Sequence, residues 1–375
     1  SAGTRSDTIS KVSTVGKTGE KLRTSSLFAT SYGYKEGELI YKGQTILLTY
    51  DENKDRDSSE RIYTEGTLPL TTVVTDKSPE KPYRNWTTIP DPIKERFRKI
   101  IHLGQLKLLL GEIDFLTKHY KGQKLVYIGA GPGTHIASLL DLFPGLDADL
   151  YDSTPFDSNL YSYTSSKLTS KGKLPRSKVR LFKQYFTVAD CVLYRGEPTL
   201  LISDIRTKAT DSGVAYDAAF HNELLTVMLP QAGSWKFRLP FQPGTTKLPE
   251  GEIHLQAWSK CSSTECRLYY KSPLRFKLYD NVIHQNKMYD YSLLRLRRTE
   301  YNILPELEKD LREADSLINN DAALTTYILE NYCLWRKSYL TSLNLPEDSY
   351  CDPNVVYSYI KRQLQINYSK GKTKI

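Results

Sequence analysis

The segment that most constrains the fold is Lys124-Leu125-Val126-Tyr127-Ile128, followed at once by Gly129-Ala130-Gly131-Pro132-Gly133. A helical pattern resumes from Thr134 to Leu142. A short apolar run bounded by glycine reads as a buried strand, and the glycines let the backbone turn sharply into a helix. Strand, tight turn and helix in that order open a doubly wound α/β sheet, a Rossmann-like arrangement. The alternation continues downstream. Asp149-Leu150-Tyr151-Asp152 reads as the end of a second strand, and Thr199 to Ser203 as an apolar strand closed by Asp204. Trp235 to Leu239 and Thr264 to Tyr270 alternate with period two, the strand signature. Upstream, Leu106, Leu109, Leu110, Ile113 and Leu116 recur at helical spacing, so 93–120 is expected to be a helix or a helix pair.

Three regions follow from this pattern. Residues 1–92 form a polar, Ser/Thr/Lys-rich extension whose first 25 or so residues lack periodicity and are expected to be mobile. Within it, Glu38 to Tyr41, the turn-like Lys42-Gly43, and Thr45 to Tyr50 read as a hairpin, with the charged run Asp51 to Arg61 as a loop. Pro79, Pro82, Pro90 and Pro92 punctuate the approach to the sheet domain, 93–300. The remainder, 301–375, is expected to be helical, with helices at 306–318 and 322–340, and to pack on the sheet domain or be appended to it. It ends in a small basic tail of Lys370, Lys372 and Lys374.

Bulk properties narrow the function classes. No apolar run is long enough to span a bilayer: the best, Leu106 to Leu116, is broken by Lys107, Gly111, Glu112 and Asp114. Ser1 to Arg5 lacks the apolar core of a signal peptide, so no secretory leader is expected. The five cysteines form no Cys-x-x-Cys pair and suggest neither a disulfide framework nor a metal site, which favours a reducing, cytoplasmic setting. A formal charge of +9 favours polyanionic partners, and 27 tyrosines supply flat faces with a polar tip on which bases can stack.

The glycine turn is Gly129-x-Gly131-x-Gly133, not the Gly-x-Gly-x-x-Gly of dinucleotide-binding proteins, and Pro132 fits a methyltransferase turn better than a pyrophosphate cradle. Asp152, ending the second strand, can accept hydrogen bonds from the ribose hydroxyls of an adenosine cofactor. A ligand-free strand-to-helix turn is the alternative for the glycines, and a solvated carboxylate for Asp152. Other polar residues stand out by position. Asp204 ends an apolar strand, where doubly wound sheets gather their ligands. In Trp235-Lys236-Phe237-Arg238-Leu239 the apolar side chains share one face and leave Lys236 and Arg238 on the other; Glu265 and Arg267 share a face in the same way. Lys107 lies inside an apolar helix, an expensive place for an unpaired amine. Taken singly, Lys236 reads equally as a solvent-facing lysine, Glu265 with Arg267 as surface charge, and Lys107 as a snorkelling side chain. Spacing alone does not join them.

Four ordered blocks carry a resemblance. Gly104-Gln105-Leu106-Lys107-Leu108-Leu109-Leu110-Gly111-Glu112, Tyr127-Ile128-Gly129-Ala130-Gly131-Pro132-Gly133-Thr134-His135, Leu201-Ile202-Ser203-Asp204-Ile205-Arg206 and Trp235-Lys236-Phe237-Arg238-Leu239-Pro240-Phe241 closely resemble the poxvirus cap-specific mRNA 2′-O-methyltransferases. Members of that family double as the small, processivity subunit of the viral poly(A) polymerase. The resemblance covers roughly 95–300 and is patchy after 270. It implies an S-adenosylmethionine-dependent enzyme that methylates a ribose 2′-oxygen at the 5′ end of capped mRNA, with a poly(A) polymerase or another capping subunit as partner. An RNA-binding or polymerase-associated subunit without catalysis is the alternative, and a small-molecule methyltransferase a third.

The resemblance further implies a Lys-Asp-Lys-Glu tetrad at Lys107, Asp204, Lys236 and Glu265, with Lys236 as general base. A lysine can be that base only if its ammonium yields its proton near the working pH, which a second lysine and the cofactor's sulfonium would favour. Cofactor contacts are implied for Gln105, Tyr127, Gly129, Gly131, Gly133, His135, Asp152 and Arg206. The family sandwiches its methylated guanine between two aromatic rings. Phe241 matches one, Tyr83 and Trp86 are candidates for the other, and Arg238 is a further substrate contact. The chain also departs from the family. Gln242-Pro243 and His284-Gln285-Asn286 stand where acids reading the guanine edge are expected, and Ser153-Thr154 where an arginine follows Asp152.

Overall fold

The computed structural model describes residues 11–14, 37–41, 44–49, 67–83, 88–89, 91–165 and 174–372. The segments 1–10 and 51–61 and the residue Trp86 therefore lie outside the described residues. Strands β1 (Lys11–Thr14), β2 (Gly37–Tyr41) and β3 (Gln44–Thr49) form a sheet in the order β1-β3-β2. β2 and β3 pair antiparallel with Tyr41 opposite Gln44, the expected hairpin. β1 was not expected, because four residues are too few to show a period.

The next elements approach the large sheet. These are β4 (Thr67–Leu68), β5 (Val73–Val74), and the helices α1 (Asp91–Phe97) and α2 (Gly104–His119). The apolar stretch at 93–120 is thus a helix pair, with α2 burying Leu106, Leu109, Leu110, Ile113 and Leu116 on the predicted face. Then come β6 (Lys124–Ile128), α3 (Ile136–Leu142), β7 (Asp147–Tyr151), β8 (Lys178–Phe182), β9 (Thr199–Ser203), α4 (Asp211–Met228) and β10 (Ala232–Phe237). β11 (Thr245–Pro249), β12 (Glu252–His254), β13 (Cys266–Lys271) and β14 (Phe276–Asp280) follow, with β11 and β14 pairing as a separate ribbon. The chain finishes through α5 (Asn281–Leu294), β15 (Arg298–Thr299), α6 (Pro305–Glu313), α7 (Asn320–Ser342) and α8 (Pro353–Gln363).

Eight strands make the central sheet, in the order β5-β12-β13-β10-β9-β6-β7-β8. β8, β7, β6, β9 and β10 run parallel; β13 pairs antiparallel with β10, β12 with β13 and β5 with β12. The chain enters the parallel part of the sheet at β6, steps outward through β7 and β8, then returns to the other side of β6 with β9 and β10. Strand order therefore reverses between β6 and β9, and a crevice opens there at the carboxyl ends of the strands. β9 is buried throughout and β6 at all but its first residue, as expected of parallel strands covered on both faces.

The division expected at residue 92 does not coincide with the edge of the sheet. Val73 and Val74 of β5 pair with His254 and Ile253 of β12, and β4 pairs with β15. Two-residue strands leave no trace in the sequence pattern. The C-terminal helices pack on the same core. α7 lies against α2, and Asn320 at its start clamps Thr71 through both amide atoms, at 3.0 and 2.9 Å. Arg295 and Asp321 form a buried ion pair of 2.7 and 3.2 Å that ties the end of α5 to α7. Removing one partner from such a pair strands a buried charge. Asp321→Ala should therefore lower unfolding stability by about 3–5 kcal/mol, measured by denaturant titration; a loss under about 1 kcal/mol would show that the pair is not a structural tie.

Candidate active site

The sheet register assembles the cluster. β10 lies between β9 and β13, and Lys236 is the direct cross-strand partner of Arg267. Two cations facing each other in this way repel. The parallel neighbour supplies the remedy. Ser203 is paired with Trp235, which brings Asp204, the next residue after β9, beside Lys236. One oxygen of Asp204, Oδ1, meets both cations: it lies 3.0 Å from Lys236 Nζ and accepts from Arg267 Nη2 at 2.6 Å. Arg267 Nη1 also donates to the Ser203 carbonyl at 2.9 Å. Burial pushes the Asp204 carboxyl up, but Arg267 and then Lys236 outweigh that and hold it below the usual carboxylate range.

The second pair comes from a different layer. Lys107, one turn into α2, points Nζ at Glu265 Oε1, 3.1 Å away, just before β13. Burial raises the Glu265 carboxyl, while Lys107, Lys236 and Arg267 together pull it below its ordinary value. The four side chains of the expected tetrad are 14–16% exposed, close enough to solvent to be reached and buried enough for their charges to matter. The structure brings all four together as two ion pairs. Gln256, in the loop after β12, lies between the pairs: its side-chain amide is 3.1 Å from Glu265 Oε1 and 3.2 Å from Arg267 Nε, and the orientation that satisfies both turns Nε2 to Glu265 and Oε1 to Arg267.

The glycine turn follows β6 and abuts the cluster. Gly129 has φ +75°, and a Cβ there would stand 2.9 Å from the backbone of Asp204. A Cβ on Gly131 would stand 2.6 Å from Thr154 Oγ1. Both positions need glycine so that the turn can close against the strand-end loops. Asp152 seals that closure: Oδ2 accepts from Gly131 N–H, and Oδ1 accepts from Thr154 N–H and its hydroxyl, each at 2.8 Å. Oδ1 is thereby filled, and Oδ2 keeps one acceptor position. Behind the turn, Tyr127 and His135 are buried and linked through Glu112. Tyr127 donates to Glu112 Oε2 at 2.5 Å, and the His135 ring nitrogens lie 2.8 Å from Glu112 Oε1 and Gln105 Oε1. Gln105 and Glu112 are seven residues apart on α2, which puts them on one face.

The remaining candidates border the crevice. Arg206 lies 3.6 Å from Asp217, and its terminal nitrogens make no hydrogen bond among the described residues. Arg238 stacks its guanidinium 4.8 Å from the centre of the Phe241 ring. Burial, then the nearby Arg206, lowers Arg238 from its ordinary value. The loop that presents Phe241 is clamped by Asp211 at the start of α4, which accepts from the backbone N–H groups of Phe241 and Gln242 at 3.0 Å each. Tyr83 is exposed and packs edge-on against Tyr289.

Sequence reasoning placed Arg267 on the same face as Glu265 but gave it no part in the site. Its signal was the register, which no single strand reveals. Glu112 had a signal, a polar residue two turns from Gln105 on an apolar helix. Gln256 and Asp211 had none: each acts on residues remote in sequence.

A doubly wound α/β sheet with a polar, ion-paired cluster and a glycine turn at its switch point defines the class of protein. Residues 84–312, more than half of the chain, match the family described as poly A polymerase regulatory subunit. The chain belongs to that family. It is similar to the cap-specific mRNA (nucleoside-2′-O-)-methyltransferase of myxoma virus (strain Lausanne), 32% identical over 223 residues, which make up 53% of this chain and 63% of the viral protein. The protein of the same name from fowlpox virus (strain NVSL) is 30% identical over 209 residues, 50% of this chain and 65% of that one. The chain thus spans somewhat under two thirds of the curated relatives it matches. Among solved structures, bluetongue virus VP4, described as a multifunctional RNA-capping production line, aligns with a TM-score of 0.37 and 11% identity over 63% of this chain and 38% of that one. That likeness is too distant to bear on the fold, which rests on the strand order itself.

Asp204 is held ionised chiefly by Arg267, which sets a pH dependence. Its carboxyl is lowered in the folded state, so its contribution to stability is present above the unfolded value of about 4 and is lost as pH falls through the lowered folded value. In Arg267→Met the folded value should rise, and the acid-side loss of stability should begin at higher pH than in the parent. Unfolding midpoints followed from pH 7 downward check this; parallel curves would show that Arg267 does not hold Asp204.

Proposed function

We propose that the chain transfers a methyl group from S-adenosylmethionine to a ribose 2′-hydroxyl near the 5′ end of capped mRNA, with Lys236 as general base. The observation that carries this reading is the pair of ion-paired lysines, Lys236 on Asp204 and Lys107 on Glu265, set beside a glycine turn at the switch point. The names of the myxoma and fowlpox relatives support it.

The residues at the glycine turn fit an adenosine-type cofactor. Gly129 and Gly131 leave backbone where any side chain would intrude, and Asp152 Oδ2 keeps one acceptor position for a ribose hydroxyl. Gly133, Gln105, Tyr127, His135 and Arg206 complete the set proposed to hold it, with Tyr127 and His135 acting from behind as a buried brace. When bound, S-adenosylmethionine supplies a methyl group on a positively charged sulfur.

The chain's own residues then have three tasks. A hydroxyl is a poor nucleophile, so it must be aligned and its proton accepted as the bond forms. Lys236 Nζ accepts that proton. Asp204 positions Lys236, yet a carboxylate beside an ammonium resists loss of its proton. Arg267 offsets this resistance because it engages the same oxygen, at 2.6 Å against 3.0 Å, and so draws on the charge that would otherwise hold the ammonium. Lys107, fixed by Glu265, orients the ribose.

α5 anchors the two segments that carry the aromatic candidates for the cap. Asn281 Nδ2 donates to the Gln242 carbonyl at 3.0 Å, next to Phe241, and Asn286 Oδ1 accepts from Tyr83 N–H at 3.2 Å. The reading extends to a poly(A) polymerase or another capping subunit as partner and to the cytoplasm as place of action; the family's description supports the polymerase. Transfer of labelled methyl to capped RNA should be lost by at least about 100-fold in Lys236→Ala while cofactor binding, read by calorimetry, is retained. Full activity in that variant would remove Lys236 as base. Equal rates on capped and uncapped RNA would remove the cap.

A further inference from the structure

We propose that Gln256 is a positioning residue whose side-chain amide keeps the two ion pairs of the cluster apart, holding Arg267 on Asp204 and Glu265 on Lys107. The proposal rests on the reading of Lys236 as general base only for its effect on rate.

Gln256 is buried. Glu265 and Arg267 lie two residues apart on one face, opposite in charge and both nearly buried. Left to themselves they would pair, because attraction between charges is strong away from water. Gln256 prevents this by offering each what it needs. Its N–H donates to the Glu265 carboxylate and its carbonyl accepts from Arg267 Nε, at 3.1 and 3.2 Å. Each guanidinium nitrogen then has a partner: Nε has Gln256, Nη1 the Ser203 carbonyl and Nη2 Asp204. Glu265 is left to Lys107. Only a group with a donor and an acceptor on one planar end can do this; an apolar side chain supplies neither, and a carboxylate supplies only acceptors.

The consequence reaches Lys236 through Asp204. Without the amide, Arg267 Nε is unsatisfied and the guanidinium turns toward Glu265. Asp204 Oδ1 then has one cation instead of two and holds the Lys236 ammonium harder. A glutamate at 256 has the same effect by drawing Arg267 directly.

The test uses the 375-residue chain with Gln256→Met and Gln256→Glu. Lys236 is followed by 13C NMR titration of its Cε in the ligand-free protein, assigned by comparison with Lys236→Ala. Both variants should move its titration to higher pH. In parallel, kcat should fall about tenfold with KM for S-adenosylmethionine unchanged, and the rising limb of the kcat–pH profile should move with the NMR titration. A merely structural role would lower the unfolding midpoint and leave the Lys236 titration where it is, which overturns the proposal. If the titration moves but the kcat–pH profile does not follow, Gln256 positions the cluster as proposed and Lys236 is not the base.

Discussion

Everything at the crevice turns on a single oxygen atom. Asp204 Oδ1 is shared by Lys236 and Arg267, which the antiparallel register of β10 and β13 sets face to face. Without an anion at that point the register would place two like charges against each other inside a sheet. With it, the repulsion becomes a three-membered cluster. The anion in place comes from the end of the neighbouring strand, so the order β9, β10, β13 builds the site as well as its scaffold.

On the reading of Lys236 proposed above, the sharing also resolves a chemical conflict. A lysine acting as base needs a partner to position it, yet any carboxylate that positions it also favours its charged form. Splitting the carboxylate between an amine and a guanidinium separates the two effects. Arg267 suits this because its planar fork stays charged and makes several directed bonds at once, here to Asp204, Ser203 and Gln256. The second lysine, Lys107, has an acid of its own, Glu265.

Support for the site comes from distant parts of the chain. α2 carries Lys107 toward β13 and Glu112 toward the glycine turn. The start of α2 is tied to Trp258, whose carbonyl accepts from Leu103 N–H at 3.0 Å and whose indole donates to Thr325 of α7 at 2.9 Å. The C-terminal helices thus brace the helix that places the second lysine. They belong to the same body as the sheet, which also takes β5 from before residue 93.

The sequence by itself determined the strand–turn–helix opening, the acids at strand ends and the amphipathic face of α2, because each follows from local periodicity or from glycine's freedom at a turn. Asp204 was legible for that reason, and so was the glycine turn. The two lysines and Glu265 became a set only through resemblance, since nothing in their spacing joins them. Tertiary structure alone decided which cation meets which acid. Arg267 opposite Lys236, Gln256 between Glu265 and Arg267, and Asp211 clamping the Phe241 loop all depend on the pairing of segments far apart in the chain. Two-residue strands such as β5 carry no period of their own, and their place is fixed only when a partner strand completes their hydrogen bonds.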